Sequence, residues 1–286
     1  MEADLVERVR EFNRFYTERL GLLTDHYLGR DRPLGSSRLL WEVGDRAAVR
    51  DLRERLGLDS GYLSRLLRLL EEQGLVQVVP DPADRRTRIV EPTAAGRRER
   101  RILDERSRDG VVALLGELGP AEQAELVAAQ GTVRRLLRLA SVTIAPVPAD
   151  DPRAWRCLHR YAAELDRRFP GGYDAATLTR PAELDALWLV TERDRPAGCG
   201  AWVRLEPGVA EIRHLWIDDT ARGLGLARRL LRRLEDDAAG QGVNTFRLGT
   251  HGCLTEAIAL YRSSGYTEVE WYGSSPYNQL CFEKRR

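Results

Sequence analysis

The sequence predicts two domains of different class: a mainly helical domain that carries a β-hairpin, followed by an α+β domain. Between residues 52 and 90 a helix, a tight turn, a second helix and two short apolar strands follow one another. Between residues 210 and 269 apolar strands alternate with amphipathic helices. A chain of 286 residues is long enough for two separate cores. The predicted domains are residues 1–140 and 141–286.

The helical domain contains a helix-turn-helix pattern. Leucines recur at helical spacing from Leu52 to Leu70, and Gly57-Leu58 interrupts them with a tight turn. Either Asp59 or Ser60 can cap the second helix, because both side chains accept hydrogen bonds from backbone N–H groups in a first helical turn.

A β-hairpin with a basic tip follows the second helix. Val76 to Val79 predicts one strand and Thr87 to Val90 predicts its partner. The turn between them, residues 80–86, contains two prolines and ends in Asp84-Arg85-Arg86. The order helix, turn, helix and hairpin is that of a winged helix-turn-helix, a structure that binds double-stranded DNA.

The string GLDSGYLSRLLRLLEEQGLVQVVPDPADRRTRIVEPTAAGR resembles the winged-helix repressors of the MarR family. The resemblance implies that the second helix enters the major groove and that the wing lies over the minor groove or its phosphates, with Asp84 holding one guanidinium in place. It assigns DNA contacts to Ser60, Tyr62, Ser64, Arg65, Arg68, Arg85 and Arg86. The alternative is that this charged helix and hairpin form an ordinary solvated face.

MarR-like proteins are obligate dimers, and this domain has more apolar helix surface than one small winged-helix core needs. A homodimer is therefore expected. The apolar stripes are Leu5, Val9, Phe12, Phe15, Tyr16 and Leu20, then Ile102, Val111, Leu114, Leu115 and Leu118, and finally Leu126, Val133, Leu136 and Leu137. For Phe12, Phe15 and Tyr16, a place in the core is the simpler reading, and the lining of a ligand pocket is the alternative.

The second domain contains a glycine-rich turn between a strand and a helix. Ala210 to Ile217 reads as a largely buried strand, and the turn Arg222–Ala227 (RGLGLA) follows it. Glycines at such a junction let backbone N–H groups point outward at the positive end of a helix dipole. This geometry suits a pyrophosphate, although plain turn chemistry is the commoner reason for such a pattern.

A second motif, AIALYRSSGY at residues 257–266, follows the turn; together, the two resemble the acyl-CoA-binding core of the GNAT N-acetyltransferases. The resemblance covers roughly residues 141–286. It implies a mixed, curved sheet whose central strands part to admit acetyl-CoA as co-substrate. In place of an asparagine that many members carry before the tyrosine, this chain offers Thr250, His251 and Leu254.

The resemblance implies a role for each matching residue. Backbone amides of Arg222, Gly223, Leu224, Gly225, Leu226 and Ala227 would hold the pyrophosphate, and Leu215, Trp216 and Ile217 would pair with the pantetheine arm. Glu211 occupies the position of a general base, acting directly or through water, and Tyr261 that of the general acid. The N–H at about Leu215 is expected to stabilise the oxyanion. The alternatives are an exposed edge charge for Glu211 and a packing role for Tyr261.

The acceptor pocket is expected at Arg167, Arg168, Phe169, Tyr173 and Tyr277. This mixture of cationic and aromatic side chains suits a small, amino-acid-like amine, whose carboxylate Arg167 or Arg168 could bind bidentately. The alternative is that both arginines are surface charges at a helix end.

Composition bounds the remaining expectations. With 45 basic and 44 acidic residues the net charge is +1, so DNA binding must rest on local patches rather than on bulk charge. The four cysteines lack paired spacing, the four histidines do not cluster, and no apolar span or leader is evident. A bacterial cytoplasmic protein with no metal and no membrane contact is expected.

The sequence thus favours an acetyl-CoA-dependent N-acetyltransferase of a small amine, fused to a MarR-type DNA-binding transcriptional regulator. The alternative is a regulator whose second domain senses acetyl-CoA or a metabolite without turnover.

Overall fold

The computed structural model describes residues 2–22, 26–273 and 275–286, and its packing divides the chain into two compact units. The first is Met1–Glu125 and the second is Leu126–Arg286. The division falls inside helix α6 (Pro120–Ala140). A domain boundary after residue 140 stays a prediction.

In the first unit, helices surround a small antiparallel sheet. Its elements are α1 (Glu2–Arg19), α2 (Leu34–Glu42), β1 (Ala47–Ala48), α3 (Val49–Leu56), α4 (Ser60–Glu72), β2 (Val76–Pro80), β3 (Arg88–Pro92) and α5 (Ala94–Gly116). The strand order is β1-β3-β2. Leucines of α2, α3 and α4 fill the core under this sheet, including Leu39, Leu52 and Leu63.

The predicted helix-turn-helix is confirmed. Helix α3 ends at Gly57, whose φ of 64° is left-handed and favours glycine. Helix α4 begins after Asp59, whose side chain accepts a 2.8 Å hydrogen bond from the Tyr62 N–H. Of the two capping residues that the sequence allowed, Asp59 is therefore the cap.

The hairpin is also confirmed: β2 begins at the predicted Val76 and ends one residue later than predicted, whereas β3 begins one residue later and ends two residues later. Val76 pairs with Pro92 and Pro80 with Arg88. The short strand β1 was missed, because a two-residue strand has no alternation that a sequence pattern could reveal.

The aromatic stripe of α1 lies outside the core of the chain. Phe12 and Phe15 are 47 % and 63 % exposed, and the Phe12 ring stacks on Tyr16 at 5.6 Å between centroids. The expectation that these rings fill the core is therefore wrong for the single chain, because nothing in the first unit covers this face of α1 within the described residues.

The second unit is an α+β structure. Its elements after α6 are β4 (Val142–Val147), α7 (Pro152–Arg168), β5 (Ala186–Glu192), β6 (Arg195–Glu206), β7 (Val209–Ile217), α8 (Leu226–Gly240), β8 (Thr245–Thr250), α9 (Thr255–Ser263), β9 (Thr267–Val269) and β10 (Leu280–Arg285). The seven strands form one sheet in the order β4-β5-β6-β7-β8-β10-β9.

The sheet is mixed, as the sequence predicted. Every neighbouring pair is antiparallel except β7 and β8, which run parallel. That parallel pair is short: it begins at Val209 opposite Thr245 and ends at Glu211 opposite Arg247. The rest of β7, from residue 212 to 217, has no strand partner on its β8 side.

Three general features concern the described residues alone. None of their helices is long and apolar enough to cross a membrane. They contain no group of three or more His, Cys, Asp or Glu side chains placed to hold a metal ion. The four cysteines are free thiols, and Cys157, Cys199 and Cys281 are buried.

Gly96 gives a test of the packing in the first unit. A Cβ at Gly96 would lie 1.9 Å from the backbone oxygen of Leu75, whereas a Cβ at Gly110, in the same helix, meets nothing within 4 Å. Gly96→Ala should therefore lower the free energy of unfolding by about 1–3 kcal/mol, since the main chain must move. Gly110→Ala should raise it by roughly 0.5–1 kcal/mol. Urea unfolding followed by circular dichroism measures both, and equal shifts for the two variants would contradict this packing.

Candidate functional site

The glycine-rich turn of the second unit links β7 to α8 as the sequence predicted. After β7 a short 3₁₀ turn, Asp219–Ala221, leads to Gly223 and Gly225, whose φ angles are 79° and 72°. Helix α8 then begins at Leu226. Both glycines are left-handed, a conformation that disfavours a side chain and lets successive N–H groups face the same way.

The backbone N–H groups of this turn are largely free. Within the described part of the chain, no protein acceptor binds the N–H groups from Gly223 to Ala227. The Arg222 N–H differs, because it donates to the Asp219 carbonyl at 3.3 Å. Buried Leu224 and Leu226 anchor the turn in the core. The turn is thus a fixed concave set of donors at a helix N-terminus, which suits a pyrophosphate.

Glu164 of α7 supports the turn from one side. Its carboxylate accepts a 2.8 Å bond from the Trp216 indole and bonds of 2.6 and 2.8 Å from the Arg222 guanidinium. Burial acts to raise the pKa of Glu164, but the hydrogen bonds from Arg222 and Trp216 outweigh burial and lower that pKa. The Arg222 side chain is therefore used inside the protein rather than presented to a ligand.

The open edge of β7 lies next to this turn. Leu215, Trp216 and Ile217 belong to the part of β7 that β8 does not pair. Here β7 also bulges: Cys199 of β6 pairs with Trp216 while Ala201 pairs with Arg213. An extended ligand can add to such an edge as a strand does.

Glu211 lies at the last residue of the short parallel pair and is 6 % exposed. An exposed edge charge is therefore excluded for this residue. Its carboxylate pairs with the Arg213 guanidinium, which also donates to the Thr179 hydroxyl at 3.1 Å. A buried carboxylate requires such a partner, because an isolated charge costs several kcal/mol to bury.

Tyr261 of α9 is 7 % exposed and packs near Tyr266 and Phe282, with ring centroids about 6 Å away. Burial raises the pKa of Tyr261 to about 12. The phenol is therefore fully protonated at neutral pH, as a proton donor must be. The same residue also contributes to the core, so packing and proton donation are compatible.

Three predicted acceptor residues come together in an aromatic cluster. Its members are Tyr161, Phe169, Tyr173, His214, His251 and Tyr277, of which the sequence predicted Phe169, Tyr173 and Tyr277. Phe169 stacks on His251 at 4.3 Å, and Tyr173 lies 4.7 Å from Tyr277. Tyr161 and His214 were missed, and His251 was considered only in place of the asparagine before Tyr261, because the three sit singly on different elements and no sequence spacing connects them.

The two arginines of the predicted acceptor pocket have different environments. Arg168 donates hydrogen bonds to Glu256, Glu164 and the Cys253 carbonyl, and the two carboxylates raise its pKa, the hydrogen bond to Glu256 most of all. Arg168 therefore belongs to a structural ion pair and is not free to bind a substrate carboxylate. Arg167 is exposed and pairs with no carboxylate among the described residues.

The predicted DNA-binding residues of the first unit lie on one helix and one wing, and all are exposed: Ser60, Tyr62, Ser64, Arg65, Arg68, Arg85 and Arg86. The Arg65 guanidinium sits 5.7 Å from the centre of the Tyr62 ring. Asp84 does not hold a guanidinium, contrary to expectation. It accepts from the Arg86 N–H and the Thr87 hydroxyl instead, because a short turn leaves those donors without strand partners.

Two protein-family models match this chain, one in each unit. A model of the GNAT acetyltransferase family matches residues 152–266, and a model of the MarR family matches residues 33–87. An IAA acetyltransferase of Azospirillum brasilense is 37 % identical over 106 residues, which are 36 % of this chain and 66 % of that protein. A mycothiol acetyltransferase of Kineococcus radiotolerans is 29 % identical over 64 % of each chain. This chain thus spans just under two thirds of the length of each relative.

An acetyltransferase from Streptococcus agalactiae aligns with a TM-score of 0.46 and 14 % identity, over 51 % of this chain and 99 % of that one. The mixed sheet and the glycine turn are consistent with the match of residues 152–266 to the GNAT acetyltransferase family, a class of enzymes that uses acetyl-CoA as co-substrate. The chain thus matches a MarR-family model in its first unit and a GNAT-family model in its second, as a fusion of the two would.

Arg138, at the end of α6, holds the chain just before the glycine turn. Its guanidinium binds both carboxylate oxygens of Glu192 at 2.6 and 2.7 Å and donates to the Thr220 carbonyl at 2.8 Å. The hydrogen bond from Arg138 lowers the pKa of Glu192. The stabilisation by this pair is therefore present above the ordinary pKa of a glutamate and is lost as the pH falls through the lowered value.

Arg138→Met should destabilise the second unit by about 1 kcal/mol at pH 7, a modest value because the pair is partly exposed. The difference in Tm between the variant and the unsubstituted protein should shrink as the pH falls below about 4.3, the ordinary pKa of a glutamate. Thermal unfolding between pH 7 and pH 3.5 measures this. Arg135→Met, at an exposed position on the same helix, is the control. An Arg138 effect that is constant over this pH range would contradict the assignment.

Proposed function

We propose that the chain is an acetyl-CoA-dependent N-acetyltransferase of a small amine, joined to a MarR-type DNA-binding transcriptional regulator. One observation carries the enzymatic part: the N–H groups from Gly223 to Ala227 lack protein acceptors and lie beside the open edge of β7. Gly225, the N-cap of α8, has no side chain that could cap these donors, so they stay open to water or to an anionic ligand.

The residues present fit acetyl-CoA. The free N–H groups from Gly223 to Ala227 would hold its pyrophosphate, and the edge formed by Leu215, Trp216 and Ile217 would pair with the pantetheine amides. The co-substrate supplies an activated acetyl thioester. Arg222 would act indirectly, since its bonds to Glu164 and to the Ile217 carbonyl fix the turn.

Glu211 and Tyr261 would supply the proton transfers. Glu211, directly or through water, would accept a proton from the acceptor ammonium, whose nitrogen then forms the bond to the acetyl carbon. The Leu215 N–H would donate to the carbonyl oxygen as negative charge develops there. As the carbon–sulfur bond breaks, Tyr261 would give its proton to the departing thiolate, and the second proton lost from the nitrogen would restore the phenol. Burial raises the pKa of a phenol and of a thiol alike, so the two groups stay comparable inside the site.

The aromatic cluster supports a small acceptor amine with an apolar or aromatic body. The rings of Phe169, Tyr173 and Tyr277 offer flat surfaces that attract another ring or an alkyl ammonium. Arg167 is the remaining candidate for a substrate carboxylate, which keeps amino-acid-like amines within the proposal. The two named relatives support acetyl as the transferred group.

The first unit would bind double-stranded DNA as a homodimer. The exposure of Arg65, Arg85 and Arg86 supports contacts to bases and phosphates. The exposed apolar face of α1, which includes Leu5, Val9 and Phe15, supports a partner subunit on that helix.

One observation favours the alternative, a sensor that binds acetyl-CoA or a metabolite without turnover. The carboxylate of the proposed base Glu211 is already occupied by an ion pair with Arg213. This pairing opposes proton transfer, whereas it leaves the binding of acetyl-CoA unaffected. Binding and turnover must therefore be measured separately.

Gly225 is the residue at which to test binding. Gly225→Glu places a negative charge and a side chain beside the free N–H groups, so it should weaken acetyl-CoA binding at least ~10-fold. Gly225→Asn is the matched control, because asparagine tolerates the left-handed conformation and adds no charge. Isothermal titration measures both. No heat of binding in the unsubstituted protein would refute the proposed function outright.

The same proteins separate enzyme from sensor. Thiol release from acetyl-CoA with a panel of aromatic and aliphatic amines should show turnover, which Tyr261→Phe lowers by about 10²-fold without loss of acetyl-CoA binding. Binding with no turnover by any amine of the panel would support the sensor.

DNA binding should follow the wing arginines. Arg86→Ala should weaken binding to random-sequence duplex. It should also reduce the slope of log affinity against log salt concentration by about one unit, which corresponds to the loss of one phosphate contact. Arg108→Ala, at an exposed position on α5, is the control and should change neither. Fluorescence anisotropy at two or more salt concentrations measures this. An unchanged slope for Arg86→Ala would remove the wing from the proposed interface.

A further inference from the structure

His214 has a backbone conformation that few histidines adopt. Its φ is 55°, in the left-handed region, although it lies inside β7. Among the described residues, the other non-glycine positions with positive φ are Leu28, Arg193 and Asp194, which lie outside or at the ends of regular strands. A side chain in this region costs about 1–2 kcal/mol, so the surroundings must hold the conformation.

The strain coincides with the bulge of β7. Because Cys199 pairs with Trp216 and Ala201 with Arg213, two β7 residues, His214 and Leu215, lie opposite the single residue Gly200. A bulge changes the direction of the backbone groups at that point. Leu215 is also the residue whose N–H is the proposed oxyanion donor.

Thr179 holds the His214 side chain. The Thr179 N–H donates to His214 Nε2 at 3.2 Å, and the Thr179 hydroxyl lies 2.9 Å from the same nitrogen. Thr179 is 5 % exposed, and the Tyr161 ring packs edge-on against the imidazole at 6.1 Å. Since Nε2 accepts a bond from a backbone N–H, that nitrogen carries no proton.

The imidazole is therefore neutral. Burial, together with the neighbouring Arg213 charge, lowers the pKa of His214 to about 4. A neutral ring with its Nε2 lone pair occupied by Thr179 is poorly placed to act as a base. The imidazole therefore serves to hold the backbone conformation of His214.

The main chain of His214 is held as well. The Cys199 thiol lies 3.8 Å from the His214 carbonyl oxygen and donates to it. In a trans peptide the carbonyl and the following N–H point in opposite directions. The contact that fixes the His214 carbonyl thus also fixes the Leu215 N–H, pointing away from Cys199.

Thr179 connects this bulge to the proposed base. Its hydroxyl accepts a 3.1 Å bond from Arg213, whose guanidinium pairs with Glu211. One buried hydroxyl therefore touches the residue that sets the bulge and the residue that neutralises the base.

We infer that Thr179 and His214 are a positioning pair for acetyl transfer: Thr179 holds His214 in its left-handed conformation and thereby sets the direction of the Leu215 N–H. The inference rests on the proposed function and adds residues that neither family match assigns. Neither side chain needs to touch the substrate.

The test compares Thr179→Val with Thr179→Ser. Valine has the shape of threonine but no hydroxyl, whereas serine keeps the hydroxyl. Thr179→Val should lower kcat by about 10–100-fold, which is no more than the effect of removing one oxyanion donor. The KM for acetyl-CoA should stay within about twofold of that of the unsubstituted protein. Thr179→Ser should keep kcat within about threefold. Thr191→Val in β5, a strand that does not pair with β7, is the control.

A spectroscopic readout separates positioning from stability. Nitrogen-15 NMR should find the proton of His214 on Nδ1, with no titration above about pH 5, in the unsubstituted protein and in Thr179→Ser. In Thr179→Val the midpoint of the His214 titration should move to higher pH, because the neutral ring loses the hydroxyl that donates a hydrogen bond to it. Tm values check that each variant is folded, and should Thr179→Val not fold, Thr179→Ala takes its place.

The outcomes are distinct. A Thr179→Val enzyme with unchanged kcat, or one whose loss appears wholly in KM, overturns the positioning role and leaves the proposed function intact. Absence of turnover in the unsubstituted protein, with acetyl-CoA bound, overturns both. A selective loss of kcat that serine prevents supports the inference.

Discussion

The second unit depends on the parting of two strands. Strands β7 and β8 pair over only the three residues that end at Glu211 and Arg247, and then separate. Backbone N–H and C=O groups inside a protein must find partners, so an edge opened in the middle of a sheet is costly unless a ligand completes it. The glycine turn, the bulge at His214 and buried Glu211 all lie on β7 or directly after it, around this opening.

Ion pairs neutralise the carboxylates that lie around this opening. Glu164 and Glu211 are each held by arginine: Arg222 and Arg168 bind the first, and Arg213 binds the second. The planar guanidinium satisfies several carboxylate lone pairs at once, which a compact ammonium does with less geometric control. The arginine-rich composition therefore has a structural use here. It also means that arginines near the site cannot be assigned to substrate merely because they are basic.

The sequence predicted the local parts of the site well. Propensity and spacing act directly between residues close in the chain, and they predicted the turn at Gly57, a cap at either Asp59 or Ser60, the hairpin, the glycine turn before α8 and strand β7. The motif residues Glu211 and Tyr261 were found by resemblance, and the structure shows that both are buried. The roles of Arg168, Arg222 and Asp84 were not predictable in this way, because each depends on which partner the fold brings near.

By itself, then, the sequence determined the order of helices and strands, the division into a winged helix-turn-helix followed by an α+β domain, and the position of the glycine-rich turn. Only the tertiary structure decided which charges are neutralised and which backbone groups stay free. It brought Glu256 to Arg168 across 88 positions of sequence and Thr179 to His214 across 35. The physical reason is range: capping, turn formation and amphipathic spacing act within one or two turns of the chain. Burial and ion pairing are decided by neighbours that only the folded sheet brings together.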